Sequence, residues 1–236
     1  LTGFAGILLT YFAGRILFGR EQGFFAAAVL ASSMWYALLG HVNTLDMGLT
    51  FFLALSIFGL LLAQREHAKS RQQRNWMLVA WLGMALAVLS KGLIGIVLPG
   101  AALVLYSLLN RDIKIWSRLH MGKGLLLFLL ISAPWFIAVS YANPEFAQFF
   151  FIHEHFDRFA KSDHDRAGPI HYFIPYLLIG ILPWLLALVP ALLRSWKIER
   201  GYGEYRFHAN RFLLIWIVFI FVFFSISKSK LPAYIV

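Results

Sequence analysis

The chain of 236 residues is 60% hydrophobic and only 14% charged, whereas a typical soluble domain carries about 25% charged residues. This composition excludes an ordinary soluble globular domain and indicates a helical protein that crosses the membrane several times. The absence of cysteine excludes disulfides and thiolate metal sites. The formal net charge of +10 does not indicate nucleic acid, because the basic residues lie in short connections that are expected to meet anionic lipid headgroups.

Apolar runs predict eight membrane-spanning helices, followed by the start of a ninth. The predicted spans cover residues 1–19, 22–40, 45–63, 75–90, 93–109, 123–142, 171–193 and 211–227, and the ninth begins at about residue 231. Pro134, Pro183 and Pro190 lie within predicted spans, where membrane helices tolerate proline as a kink. Because both ends of the chain lie inside apolar runs, we expect residues 1–236 to be one transmembrane domain of a longer protein.

The basic residues assign the two ends of these helices to opposite sides of the membrane. Fifteen of the 21 Lys and Arg residues fall in or beside the connections after the first, third, fifth and seventh helices. The positive-inside rule places these connections in the cytoplasm. Topology gives no reason for the other six, which lie on the opposite side: Lys91, Arg158, Lys161, Arg166, Lys228 and Lys230. The outer side is therefore the candidate binding surface.

Two outer turns each carry one charged residue at a helix end. Asp46 opens the third predicted helix, where the helix dipole stabilises a carboxylate. It is either a plain cap, a role that Thr44 also fits, or a carboxylate that positions an acceptor or binds a metal. Lys91 lies in the tight turn Ser90-Lys91-Gly92. A lysine there either extends to the interface without further function or binds a phosphate through its compact ammonium.

The most strongly charged stretch is 149–172, which lies between two predicted spans. Residues 149–159 are predicted to form an amphipathic helix on the membrane surface. In that helix His155 and Arg158 share a face, and Glu154 can form an ordinary i,i+4 ion pair with Arg158. One histidine with one carboxylate also suits a metal, so Glu154 and His155 are candidate metal ligands.

A last outer cluster follows the eighth predicted helix. Lys228 and Lys230 precede Pro232, which is suited to begin the next helix, and Tyr234 follows. These lysines and the tyrosine either anchor the helix at the interface or bind phosphate together with Lys91 and Arg158.

Taken in order, these motifs resemble the membrane glycosyltransferases of GT-C fold. They most closely resemble the family of 4-amino-4-deoxy-L-arabinose lipid A transferases and protein-mannosyltransferase-like enzymes. The matching segments are 44–46, 90–92, 154–159, 171–175, 182–184 and 227–234. The resemblance implies an all-α, multi-pass helix bundle of GT-C type in the bacterial inner membrane, with its active face in the periplasm.

The same resemblance implies a polyprenyl-phosphate-linked sugar as donor, a lipid or glycan acceptor such as lipid A, and no nucleotide cofactor. It implies phosphate-contacting positions for Lys91 and Arg158, with Lys228, Lys230 and Tyr234 completing the substrate-binding set. It further implies a divalent metal near His155, for which zinc or magnesium is expected and Glu154 is the second candidate ligand. It also implies an acidic pocket position for Asp46, the candidate catalytic carboxylate here. The family's main carboxylate lies in its first outer loop, which we expect upstream of Leu1, so we expect this fragment alone to be inactive.

The main alternative is a transporter or flippase for a lipid-linked substrate, which also needs basic groups near the membrane. Transporters usually place their polar groups near the bilayer midplane and contain internal repeats. Here the polar groups cluster at one interface, and no repeat is evident. A non-catalytic membrane scaffold is a third option, and it leaves the six outer cations unexplained.

Overall fold

Each apolar run predicted as a span forms a helix, or a bent pair of helices, in the computed structural model of the chain. The structure describes residues 1–42, 44–66, 68–148, 150, 168–196 and 207–235. Over these ranges it contains helices and no β-strand. The helices are α1 (Thr2–Phe18), α2 (Arg20–Ser32), α3 (Met34–His41), α4 (Leu45–Gln64), α5 (Ser70–Lys91), α6 (Ile94–Leu109), α7 (Met121–Ala142), the short turn α8 (Phe146–Gln148), α9 (Phe173–Gly180), α10 (Leu185–Ser195) and α11 (Ala209–Ile226), with 3-10 turns at Ile113–Arg118 and Pro232–Ile235.

Several of these helices are suited to cross a membrane. By length and composition α4, α7 and α11 can each cross a bilayer alone. The pairs α2–α3 and α9–α10 pass the same test together, with bends of 62° and 105°, while α1 and α6 are shorter apolar helices. The prediction of an all-α, multi-pass membrane protein is confirmed. The spans predicted at 22–40 and 171–193 are, however, broken in the middle.

Serines and a proline explain the two breaks. The hydroxyls of Ser32 and Ser33 donate to backbone carbonyls one turn earlier, at 2.6 and 2.7 Å, which is a known competitor of regular helix bonding. Ser33 then adopts an extended conformation, with ψ at 122°. In the second pair, Pro183 disfavours a helical conformation at the preceding Leu182 and has no N–H to continue the helix.

The close packing of α4 on α5 sets the position of the helix ends that the sequence assigns to the outer side, which we call the outer ends. The two helices run antiparallel, and glycines allow their backbones to meet. A Cβ atom on Gly59 would lie 2.8 Å from the backbone nitrogen of Ala80, and one on Gly83 would lie 2.6 Å from that of Ser56. This crossing brings the first turn of α4 beside the last turn of α5.

The opposite end of the bundle, which the sequence assigns to the cytoplasm and which we call the inner end, is held by polar contacts between α6 and α11. The fully buried Tyr106 hydroxyl accepts a hydrogen bond from the backbone N–H of His208 at 2.8 Å. The Arg211 guanidinium donates to the Asn110 side-chain oxygen at 3.0 Å. Arg118 pairs with Asp112 at 3.0 Å at the same end. These basic side chains come from connections that the sequence assigns to the cytoplasmic side.

Candidate functional site

Asp46 lies in the first turn of α4, at the outer end of the bundle. The preceding Thr44 is extended, and its side chain makes no cap hydrogen bond. The Asp46 carboxylate instead pairs with the ammonium of Lys91. The structure therefore gives Asp46 an ionic partner across two helices, where the sequence left a plain cap and a binding carboxylate as alternatives.

Lys91 is the last residue of α5, and a glycine turns the chain directly after it. Gly92 has φ at +85°, which favours glycine because it has no Cβ. Its N–H donates to the Val88 carbonyl at 2.8 Å, and α6 begins two residues later at Ile94. The Lys91 side chain retains 31% of its exposure and that of Asp46 retains 20%, so the pair remains accessible from outside the bundle.

Tyr234 completes the group that we call the outer-end cluster, consisting of Asp46, Lys91 and Tyr234. It lies in the 3-10 turn Pro232–Ile235, at the position where the sequence predicts the start of a ninth helix. The Lys91 ammonium lies 5.0 Å from the centroid of the Tyr234 ring, within range of a cation–π contact. Three residues predicted separately from motifs at 44–46, 90–92 and 227–234 thus meet in space.

Lys230 is also predicted to bind substrate, but the structure uses it to close the end of α11. It is only 5% exposed, and its ammonium donates to the carbonyls of Phe224, Ser225 and Ser227 at 3.4, 2.7 and 2.8 Å. The last carbonyls of any helix have no N–H partner within the helix. A lysine near the helix C-terminus can donate hydrogen bonds to them. Burial lowers the pKa of Lys230. Phosphate binding by Lys230 stays a prediction that requires these bonds to break.

The remaining predicted site residues divide into two groups. Lys228 is exposed and makes no hydrogen bond or ion pair with the part of the chain that the structure describes. Glu154, His155 and Arg158, together with the amphipathic helix predicted at 149–159, lie outside the described residues apart from Phe150. Across the described ranges there is no group of three His, Asp or Glu residues that could hold a metal ion.

A family model described as dolichyl-phosphate-mannose-protein mannosyltransferase matches residues 1–137, which is more than half of the chain. The chain belongs to this mannosyltransferase family. The resemblance drawn from the motifs is therefore confirmed at the level of the family.

Relatives of this mannosyltransferase-family chain include two bacterial arabinosyl transferases. It is 34% identical over 231 residues to undecaprenyl phosphate-alpha-4-amino-4-deoxy-L-arabinose arabinosyl transferase 1 of Pseudomonas fluorescens, covering 97% of this chain and 40% of the relative. It is 31% identical over 232 residues to the corresponding transferase of Erwinia tasmaniensis, covering 98% and 40%. The chain therefore spans about 40% of the length of these relatives.

A solved structure shares the fold of this mannosyltransferase-family chain. The crystal structure of ArnT from Cupriavidus metallidurans bound to undecaprenyl phosphate is 40% identical in sequence and superposes with a TM-score of 0.92. The match covers 99% of this chain and 41% of that one. ArnT in the apo state matches with a TM-score of 0.88. The predicted GT-C-type helix bundle is confirmed.

Sequence reasoning missed one residue beside the outer-end cluster of this mannosyltransferase-family chain. Trp35, near the start of α3, donates its indole N–H to the Pro232 carbonyl at 3.1 Å. A partly buried tryptophan N–H usually finds an acceptor, so a tryptophan two residues after the Ser32-Ser33 pair was the available signal. The identity of its partner, 197 residues away, was not visible from spacing.

Proposed function

We propose that this chain is the membrane-embedded part of a glycosyltransferase that moves a sugar from a polyprenyl-phosphate donor to an extracytoplasmic lipid or glycan acceptor, such as lipid A. The observation that carries the proposal is the Lys91 ammonium, which is accessible at the outer helix ends between the Asp46 carboxylate and the Tyr234 ring. The names of the relatives support the donor class, because they are undecaprenyl-phosphate arabinosyl transferases.

Lys91 is suited to stabilise the departing polyprenyl phosphate. An ammonium is a compact, strongly charged donor with three N–H groups, and among the described residues only Asp46 accepts from it. Two donors remain for phosphate oxygens while the Tyr234 ring borders the ammonium. As the bond to the sugar breaks, negative charge grows on the phosphate, and a fixed cation stabilises that state more than the ground state. Arg158 is proposed to add a second cation.

Asp46 is proposed to act in two ways. As the counter-ion of Lys91 it holds the ammonium in place before the donor arrives. As a carboxylate at the site, it orients the acceptor hydroxyl or accepts its proton. A single direct displacement by the acceptor would invert the configuration at the anomeric carbon of the sugar.

Metal binding is a separate part of the proposal. Glu154 and His155 would hold a divalent ion, zinc or magnesium, and such an ion would supply further positive charge for the phosphate. Two protein ligands fall short of the three or four that zinc sites usually have, and the described residues provide no group of three ligands. No step proposed for Lys91 or Asp46 therefore depends on a metal.

In this proposal the outer-end cluster lies on the periplasmic side of a bacterial inner membrane. We expect a membrane-impermeant maleimide to label His41→Cys, at the end of α3, in right-side-out membrane vesicles of cells that produce the full-length protein without other reactive cysteines. Lys69→Cys, just before α5, is the matched control and should react only in inside-out vesicles. Both native residues are exposed. Labelling of both positions from one side would contradict the proposed orientation.

Donor turnover separates a transferase from a transporter. In proteoliposomes with the full-length protein, we expect polyprenyl phosphate labelled in its lipid part to be released from the sugar only when acceptor is present. The measurement is the chromatographic separation of the intact sugar-linked donor from free polyprenyl phosphate. Movement of intact donor across the bilayer without release would favour the flippase alternative, for which the reported relatives offer no support.

A further inference from the structure

We propose that Trp35 and Lys230 are positioning residues for the outer-end cluster, because together they hold the turn Pro232–Ile235 so that the Tyr234 ring faces the Lys91 ammonium. This inference rests on the proposed function, since it gives these residues a role in the same site. Neither residue needs to touch the substrate. Trp35 binds the turn itself, and Lys230 ties the segment that leads into the turn to the end of α11.

Lys230 fixes the segment that leads into the turn. Its three N–H donors are taken by three carbonyls at the end of α11, and its ammonium also lies 5.7 Å from the centroid of the buried Phe173 ring. A Cβ atom on Gly168 would come within 3.0 Å of the Lys230 side chain, so the aliphatic stem is packed as well. Two residues before Pro232, the chain therefore has little freedom to move relative to α11.

Trp35 fixes the turn from the side of the bent pairs. Its indole N–H binds the Pro232 carbonyl at 3.1 Å, and its ring lies 6.1 Å from that of Tyr176 on α9. A Cβ atom on Gly180 would come within 2.9 Å of the Trp35 Cβ, so only a glycine lets α9 approach this closely. The indole is thus held in place by α9 while it binds the turn.

Tyr234 is part of the same turn, so its position is fixed by both contacts. The Tyr234 N–H donates to the Leu231 carbonyl at 3.0 Å, which closes a four-residue unit with Pro232 inside it. The Tyr234 ring then packs 4.9 Å from that of Phe224 on α11 and lies over Lys91. If the Pro232 carbonyl or Lys230 is released, the unit can rotate and the ring leaves the ammonium.

The test uses the full-length protein with Trp35→Phe and Lys230→Met. The matched controls are Trp184→Phe, which removes a similar indole bond to Ser32 at 2.9 Å, and Lys114→Met, an exposed lysine at the inner end. We expect Trp35→Phe to weaken the binding of polyprenyl phosphate about three- to tenfold, the effect of losing one hydrogen bond. Lys230→Met should weaken it further, Lys230→Arg should restore part of the binding, and both controls should bind normally.

Two readouts distinguish positioning from general damage to the fold. In a Tyr234→Ala background, Trp35→Phe should add no further loss, because residues that act through one another are non-additive. A nitroxide on Ala233→Cys should become more mobile with Trp35→Phe and unchanged with Trp184→Phe, whether or not the lipid binds. Additive losses, or equal mobility with both tryptophan variants, would overturn the inference. A mobility change without any binding of polyprenyl phosphate would overturn the proposed function and leave the structural link intact.

Discussion

Replacing Lys91 by alanine in the full-length protein should reduce sugar transfer about 10²- to 10³-fold, the effect of removing one preorganised donor from a developing anion. The loss should appear mainly in kcat, because the ammonium matters most when charge grows on the departing phosphate. Lys123→Ala, an exposed lysine at the inner end of α7, is the matched control and should keep full activity. The measurement is initial rate of transfer at saturating donor, normalised to folded protein.

Because Lys91 pairs with Asp46, a loss of transfer in Lys91→Ala can be interpreted only with a second variant. Lys91→Ala leaves the carboxylate without its cation, which can destabilise the helix ends. The double variant Lys91→Met/Asp46→Asn removes both charges and should recover thermal stability without recovering transfer. Arg158→Ala should reduce transfer in the same way as Lys91→Ala. Wild-type turnover in Lys91→Ala would remove this residue from the proposed site.

Gly59→Leu should strongly destabilise the full-length protein. A Cβ atom at this position would meet only backbone atoms of α5, with the Ala80 nitrogen at 2.8 Å and the Trp76 carbonyl oxygen at 3.0 Å. Backbone cannot rotate out of the way as a side chain can, so α4 and α5 must separate. Overpacking typically costs about 1–3 kcal/mol and occasionally more, and here the lost packing between α4 and α5 adds to it.

Gly48→Leu, in the same helix, provides the comparison for this substitution. Its Cβ would meet no heavy atom within 4 Å, so the variant should elute as a single species in detergent with nearly the wild-type melting temperature. We expect Gly59→Leu to be aggregated or to melt markedly lower under the same conditions. Equal stability of the two variants would show that the glycine contact does not hold α4 against α5.

The helices and their two ends could be predicted from the sequence, but the contacts at the outer end could not. Asp46 and Lys91 were assigned to one side because hydropathy and the distribution of basic residues restrict where each turn lies. Their direct pairing depends on how closely α4 and α5 approach, and that distance is set by glycines in the middle of both helices. Helix periodicity contains no information about such a crossing.

Lys230 shows a different limit. The sequence predicts that Lys230 places a positive charge at the outer end, but it does not show which groups accept hydrogen bonds from the ammonium. The acceptors are carbonyls in the last turn of α11 and directly after it, and they become known only once the helix is seen to end at Ile226. Boundaries are the least certain part of any sequence-based assignment. A cation one turn past a helix end can therefore be assigned to a ligand or to the helix itself only from coordinates.

For a related reason, the sequence predicts unbroken spans at 22–40 and 171–193. Pro183 and the pair Ser32-Ser33 were visible, but such residues cause only a mild kink when the helix can compensate. In the structure the two breaks meet each other instead, with the Met34 N–H donating to the Leu182 carbonyl at 3.3 Å. Partners of this kind, distant in the chain, turn a tolerated kink into a sharp bend.

The two breaks that contact each other are synthesised at different times. The polar groups at the bend between α2 and α3 find their partners in residues that follow some 150 to 200 positions later, at Trp184 and Pro232. At a synthesis rate of about 5–20 residues per second, these partners emerge roughly eight to forty seconds afterwards. During that interval the Met34 N–H at the first bend also lacks its acceptor, the Leu182 carbonyl. An unpaired backbone N–H is costly in lipid, so we expect the early helices to wait at the insertion machinery or to stay straight until the later pair arrives.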